Sequence, residues 1–327
     1  MKGETMANQD LAKVLQHRDA TRTQAKACIV IEGLSGTGKS GLALTIGHAL
    51  AGGDWKKVFA TDTENKSLDL FTGIRLHNGE LVTPFKKLDL LPSHGYAPTN
   101  YLICKENAIN AKGLVCINDS ITHMWQMAGG ILQRVSALEA ANRNVNKFTA
   151  WGTNEIIEEK NAVYDVVRDS RIHVISTVRI KEKHEMAKDG DKTVIKSLGE
   201  QQIFMPDFKY EPDLVLRMVK PGSGKGTPPV AEIIKSRYVI FEAGETYSFT
   251  DELIQQLKSY LKDGADPAVL MEQQRLELIQ ATTEILNSNP SKATMFPILK
   301  EQLGLKDTPL VDLPLDKVRT LLGILIN

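Results

Sequence analysis

Residues 25–50, AKACIVIEGLSGTGKSGLALTIGHAL, decide how the rest of the chain is read. Residues 28–32 form a short apolar, β-branched run with the character of a buried strand. Gly33, Gly38, Lys39 and Ser40 then complete the spacing G-x-x-x-x-G-K-S, with Ser35, Gly36 and Thr37 inside it. From residue 41 the pattern changes to a helical one, with Leu42, Ile46 and Leu50 four apart. Strand, glycine-rich loop and helix in that order make a phosphate cradle. The glycines let backbone N–H groups converge on phosphate oxygens, and the helix N-terminus adds partial positive charge. Lys39 is the point charge for the β- and γ-phosphates and Ser40 a hydroxyl ligand for Mg²⁺, so ATP and Mg²⁺ are the expected ligands. Average residue frequencies give the bare pattern by chance in roughly one chain in a hundred of this length, before its placement between strand and helix is counted.

The chain has 327 residues, of which 42% are hydrophobic, enough for a large domain with a small appendage. Forty basic and forty acidic residues cancel, which argues against a chain-wide cationic surface and leaves room for a local basic patch. Cys28 and Cys116 lie in apolar runs and are expected in the core. With Cys104 they form no metal-ligand spacing. The first ten residues lack a signal-peptide apolar region, and no run reaches membrane-spanning length. The expectation is a soluble protein of a reducing compartment, the cytoplasm, with no membrane association.

Further strands are expected at residues 58–60, 113–119, 171–178, 214–219 and 230–234, and helices at 9–17, 101–111, 122–141 and 155–169. Residues 180–205 are charged and read as a loop, as do residues 142–153. The turn PGSGKGTPP, residues 221–229, has a lysine among glycines but neither the spacing nor the following helix of a phosphate loop. Thr250 caps a helix that Gly264 ends, and from Pro267 onward short helices follow. The chain therefore divides into a polar segment (1–26), an α/β core (27–249), a connecting helix (250–264) and a helical module (265–327), whose face is a possible site for a protein partner.

Hydrolysis needs an acid for the metal shell and a group to orient water. Asp119 ends an apolar strand and suits the first task; Glu64 follows another strand and suits the second. Strand-end acids are also common in polar loops, so both assignments compete with that reading.

Three segments resemble successive motifs of the RecA-like recombinase core: FATDTEN at 59–65, GLVCINDS at 113–120 and HVISTVR at 173–179. The ensemble most resembles phage-encoded RecA-like ATPases linked to single-strand annealing, over about residues 27–249. The resemblance implies a P-loop core around a mainly parallel sheet. It places Glu64 as the water-activating acid, Asp119 in the metal shell and Thr177 as the residue sensing γ-phosphate. It also implies that Lys235 and Arg237 reach a neighbouring subunit's nucleotide. That makes a homo-oligomer, with single-stranded DNA as partner. Without the resemblance, Lys235 and Arg237 read as lysine-type protection of a solvated strand edge. The stretch from Arg179 to Gly199, both included, holds six Lys/Arg and four Asp/Glu, a modest basic surplus for DNA. A host cytoplasm follows if the gene is a phage's. Two other functions stay open: an ATPase motor for packaging or remodelling, and a nucleotide-gated scaffold with little turnover.

Overall fold

The computed structural model describes residues 20–141, 146–189, 192–222 and 226–326. The helix expected at residues 9–17 lies outside them. In chain order the elements are β1 (Cys28–Gly33), α1 (Lys39–Leu50), β2 (Val58–Asp62), β3 (Lys86–Asp89), α2 (Pro98–Asn110) and β4 (Val115–Asp119). Then come α3 (Thr122–Gln126), α4 (Ile131–Ala141), α5 (Lys147–Ala150), α6 (Asn154–Val167), β5 (His173–Asp189) and β6 (Lys192–Gln202). The remaining elements are β7 (Leu214–Lys220), β8 (Val230–Ser236), β9 (Thr246–Ser248), α7 (Asp251–Lys262), α8 (Pro267–Ser288), α9 (Pro290–Gln302) and α10 (Leu315–Ile326).

The strands form one nine-stranded sheet in the order β3-β2-β4-β5-β1-β7-β8-β9, with β6 paired to β5 outside that path. Strands β3, β2, β4, β5, β1 and β7 are parallel to their neighbours, while β8 and β9 add an antiparallel margin. Parallel strands need both faces covered, which explains why β1 and β4 are buried at every position. On one face Ile29, Ile31, Leu42, Ile46, Ile117 and Leu257 pack in one cluster; on the other, Val30, Tyr101, Ile121, Met124, Val163 and Phe208 pack in a second. Each such side chain contributes about 1.5–3 kcal/mol by leaving water. Cys28 and Cys116 are buried, as expected of small core residues.

Three readings differ from the structure. Residues 142–153, expected as a loop, include the one-turn helix α5, opened by the Asn146 side chain, which accepts the Thr149 amide at 2.9 Å. The helix expected over 122–141 is two, because Gly129 and Gly130, poor helix formers, break it. Of residues 180–205, expected as a loop, 180–189 and 192–202 are strand: β5 continues beyond the sheet and pairs antiparallel with β6 from Ile180↔Gln202 to Asp189↔Lys192. This ribbon has no continuous apolar alternation, so the period-two signal that marks a half-buried strand is missing from its sequence.

The chain divides into two compact units. The larger spans residues 26–261 and includes most of α7, whose Ile254, Leu257 and Leu261 join the first core cluster. Thr250 caps α7 through its hydroxyl, 3.3 Å from the Leu253 amide. The smaller unit takes residues 262–326 with residues 20–25. In it, Ile279 and Leu299 pack with Val318, Leu321 and Leu325 of α10. Its N-terminal residues are tied in by the Gln24 amide on the Ala265 carbonyl at 3.0 Å. No helix among the described residues is long and apolar enough to cross a membrane.

Candidate nucleotide site

All the parallel strands end at the same edge, and the order β4-β5-β1 sets Asp119, Thr177 and the P-loop side by side. The loop between Gly33 and Lys39 turns through Gly36 and Gly38, with φ of 77° and 88°, a region L side chains resist. At Gly38 a Cβ would also lie 3.0 Å from Pro221, so the start of the 221–229 turn borders the P-loop. Residues 223–225 of that turn, including its lysine, lie outside the described residues. Ser35 and Gly36 are exposed, and Thr37 closes the loop with its hydroxyl 2.8 Å from the Leu34 carbonyl. Lys39 donates to the Gly33 and Leu34 carbonyls at 3.0 and 2.8 Å. Burial lowers its pKa, and the charge of Arg179 adds to that, against Asp119 and Glu64.

Asp119 is buried at the end of β4, where Ser40 Oγ donates to its Oδ2 at 2.7 Å and Thr177 Oγ1 donates to its Oδ1 at 2.5 Å. Burial pushes its carboxyl up against those two hydrogen bonds, and the charges of Glu64 and Asp62 push the same way. Both its hydrogen-bond partners are hydroxyls, and among the described residues no ion pair reaches it. A buried carboxylate compensated only by hydroxyls, beside a P-loop serine, has the donor chemistry of a hard-cation site. Mg²⁺ would fit such a donor set, with Ser40 and Asp119 as the residues that would hold it.

Glu64 stands across this edge. Asp62 positions it: its Oδ1 accepts the Glu64 amide at 2.8 Å and its Oδ2 the Leu68 amide at 3.0 Å. Asp89, Asp62 and Asp119 are in register across β3, β2 and β4. Lys87 offsets part of that crowding by ion pairs to Asp62 at 3.6 Å, to Asp69 at 3.1 Å and to Asp89. Arg179 grips Glu64 with both arms of its fork, Nε to Oε1 at 2.9 Å and Nη2 to Oε2. Burial raises the Glu64 carboxyl, but the hydrogen bonds and charge of Arg179 outweigh it and hold the group below its ordinary range. Thr63 shares a hydrogen bond with His123 Nδ1 at 2.7 Å and accepts the Ser120 amide at 2.9 Å, which joins the β2 and β4 ends.

Lys39, Ser40, Asp119, Thr177 and Glu64 thus meet at one edge. Lys235 and Arg237 do not join them. In register Lys235 lies beside Val215, itself beside Val30, and the two cations lie at the other end of the strands. There Lys235 Nζ donates to the Tyr210 carbonyl at 2.6 Å, and Arg237 reaches the same carbonyl at 3.0 Å and Asp213 at 3.0 Å. Arg179, Asp62 and Lys87 belong to the site and were not singled out in the sequence. Arg179 carried a signal: it follows Thr177 by two on one strand, hence on the same face. Lys87 carried none.

Fold and site together define a P-loop nucleotide-binding core. The profile of a family described as an AAA domain matches residues 25–246, and the chain belongs to that family of P-loop ATPases. Among curated proteins none matches the chain.

Proposed function

We propose that the protein is a Mg²⁺-dependent ATPase that acts on single-stranded DNA in recombination or annealing, as a homo-oligomer. The observation that carries the reading is strand β5. It supplies Thr177 and Arg179 at the phosphate edge and then continues into the β5–β6 ribbon, whose register shifts between Glu182 and His184. The base of the ribbon is tied to the P-loop strand a second time, by Gln202 on Glu32. A strand of DNA held along the ribbon therefore acts directly on the positions of the groups around the γ-phosphate.

In this reading Lys39 neutralises charge on the transferring phosphoryl group, and the loop amides hold the β-phosphate. Bound through Ser40 and Asp119, Mg²⁺ would supply further charge neutralisation. Glu64 takes a proton from water as the water oxygen bonds to the γ-phosphorus. The bond to the bridging oxygen breaks, and ADP and inorganic phosphate leave. In the same reading Lys235 and Arg237, which are remote from their own P-loop, serve the site of a neighbouring subunit.

The test is the ATPase rate of the full chain alone, with single-stranded DNA and with duplex DNA, at two salt concentrations. Single strands should stimulate turnover more than duplex, and the stimulation should weaken as salt rises. Equal rates under all conditions would remove DNA from the reading and leave the motor or scaffold functions.

A further inference from the structure

The Arg179–Glu64 pair is at odds with the role given to Glu64. A general base needs an oxygen free to receive a proton and a basicity matched to the operating pH. Here both carboxylate oxygens are taken by one guanidinium, and the pairing holds the group in its weakly basic form. As observed, Glu64 is poorly suited to activate water.

The position of Arg179 supplies the resolution. Its Cα is the register partner of Gly33, the first residue of the P-loop, so it rises from the sheet at the edge of the phosphate cradle. The side chain is 37% exposed and its partner 24%, so the guanidinium is not locked in by packing. A γ-phosphate entering the cradle offers Arg179 more negative charge than a carboxylate does and the same bidentate geometry.

We propose that Arg179 is a phosphate ligand acting within its own subunit, which exchanges Glu64 for the γ-phosphate and thereby frees the base only when ATP is bound. ADP, with no γ-phosphate, leaves the pair closed. Water activation is then conditional on the substrate, and β5 gives a ligand on the ribbon a direct mechanical route to the same residue. This inference rests on the reading of Glu64 as the base, and the experiment separates the two.

Equilibrium binding of fluorescent ADP and of a non-hydrolysable ATP analogue is measured for the full-length wild type, Arg179→Ala, Arg179→Lys, Glu64→Gln and the double variant Glu64→Gln with Arg179→Ala. Losing a charge-assisted fork to the γ-phosphate should weaken the analogue by about 10- to 100-fold in Arg179→Ala, with ADP affinity nearly unchanged. Lysine keeps the charge without the fork, so Arg179→Lys should fall between, and it supplies the test if the alanine variant fails to fold. Glu64→Gln should tighten the analogue by roughly threefold or more, because a neutral amide competes less well for Arg179. That gain should vanish in the double variant, a non-additivity that a merely structural pair does not produce.

Equal loss for ADP and the analogue, or no loss, overturns the proposal. So does faster turnover in Arg179→Ala, which would make Arg179 a brake alone. Weakened DNA binding with ATP–ADP discrimination intact also overturns it, by assigning Arg179 to the ribbon. Turnover of Glu64→Gln judges the other reading: a normal rate removes Glu64 as base, while the binding cycle still reports on Arg179.

Discussion

The two ends of the parallel strands treat buried carboxylates differently. At the end where the strands begin, Asp169 precedes β5 and is 7% exposed. Arg171 pairs with it at 2.7 Å, and Lys105, itself 3% exposed, pairs with it at 3.1 Å. Burial alone would raise this carboxyl, but the Arg171 hydrogen bonds, with Lys105 behind them, hold it down at about 2. Asp213, beside the start of β7, is likewise matched by Arg237. At the end where the strands finish, Asp119 is as buried but meets only Ser40 and Thr177, and its carboxyl moves the other way. One end has its charges balanced within the chain. The other holds an excess of negative charge beside Lys39, an imbalance that suits a site completed by a cation and a phosphate.

The largest effect is expected from removing the P-loop's own cation. Lys39→Ala takes away the one charged side chain between Gly33 and Ser40. Nucleotide affinity should collapse and turnover should fall by about 10³-fold or more, while the thermal midpoint stays near wild type because the side chain bonds only two loop carbonyls. Normal hydrolysis by this variant would show that the phosphates bind elsewhere.

Exchanging one carboxylate at each end sharpens the contrast. Asp119→Asn keeps the shape and can still bond both hydroxyls, but it loses the charge. Turnover should fall about 10²-fold, and folding stability should hold or rise, since a costly buried charge has gone. Asp169→Asn should do the reverse. It leaves Lys105 buried without its carboxylate, at a cost of about 3 kcal/mol in chemical denaturation, and touches turnover little. If both variants lose stability alike, the distinction between the two ends fails.

Acid titration reads the same contrast with its sign. The Asp169 pKa is depressed in the folded protein, to about 2. An unfolded aspartate titrates at about 3.9. Its stabilising contribution is therefore complete above about pH 4 and is lost as pH falls toward 2. Melting of the protein without added nucleotide or Mg²⁺ should show this loss over that window, and Asp169→Asn should flatten it. An unchanged acid limb in the variant would mean that other carboxylates set it.

How far this was legible in the sequence follows from the range of each signal. Lys39 and Ser40 are read from a local spacing and Asp119 from the polar end of an apolar strand, whereas Thr177 is singled out only by the family resemblance. The ribbon was missed because its residues alternate around charges rather than around an apolar face. The break between α3 and α4 was missed because apolar positions on both sides keep a helical rhythm across Gly129 and Gly130. The Arg179–Glu64 pair joins residues 115 apart, and only the neighbouring places of β2, β4 and β5 in the sheet bring them together. The grip of Lys87 on Asp62 depends in the same way on β3 pairing with β2.

The smallest effect on the isolated chain, and the most informative on assembly, should come from the balanced end. Lys235 and Arg237 are held by the Tyr210 carbonyl, and Arg237 also by Asp213, in an arrangement that is 57% exposed at the arginine. Ion pairs that exposed contribute at most about 1 kcal/mol. The double variant Lys235→Ala with Arg237→Ala should therefore fold normally and, as separated subunits, bind ATP nearly as the wild type does. If the two cations serve a neighbour's phosphates, the variant should nevertheless lose ATP-dependent assembly and most turnover. Sedimentation with a slowly hydrolysed ATP analogue measures the first, and mixing with Lys39→Ala protein tests the second. In mixed oligomers an intact P-loop of one subunit meets intact cations of the other, so part of the activity should return. A site completed within one subunit gives no recovery at any ratio. Undiminished assembly would leave Lys235 and Arg237 as what their observed partners already make them, a paired and solvated strand end that discourages unwanted pairing.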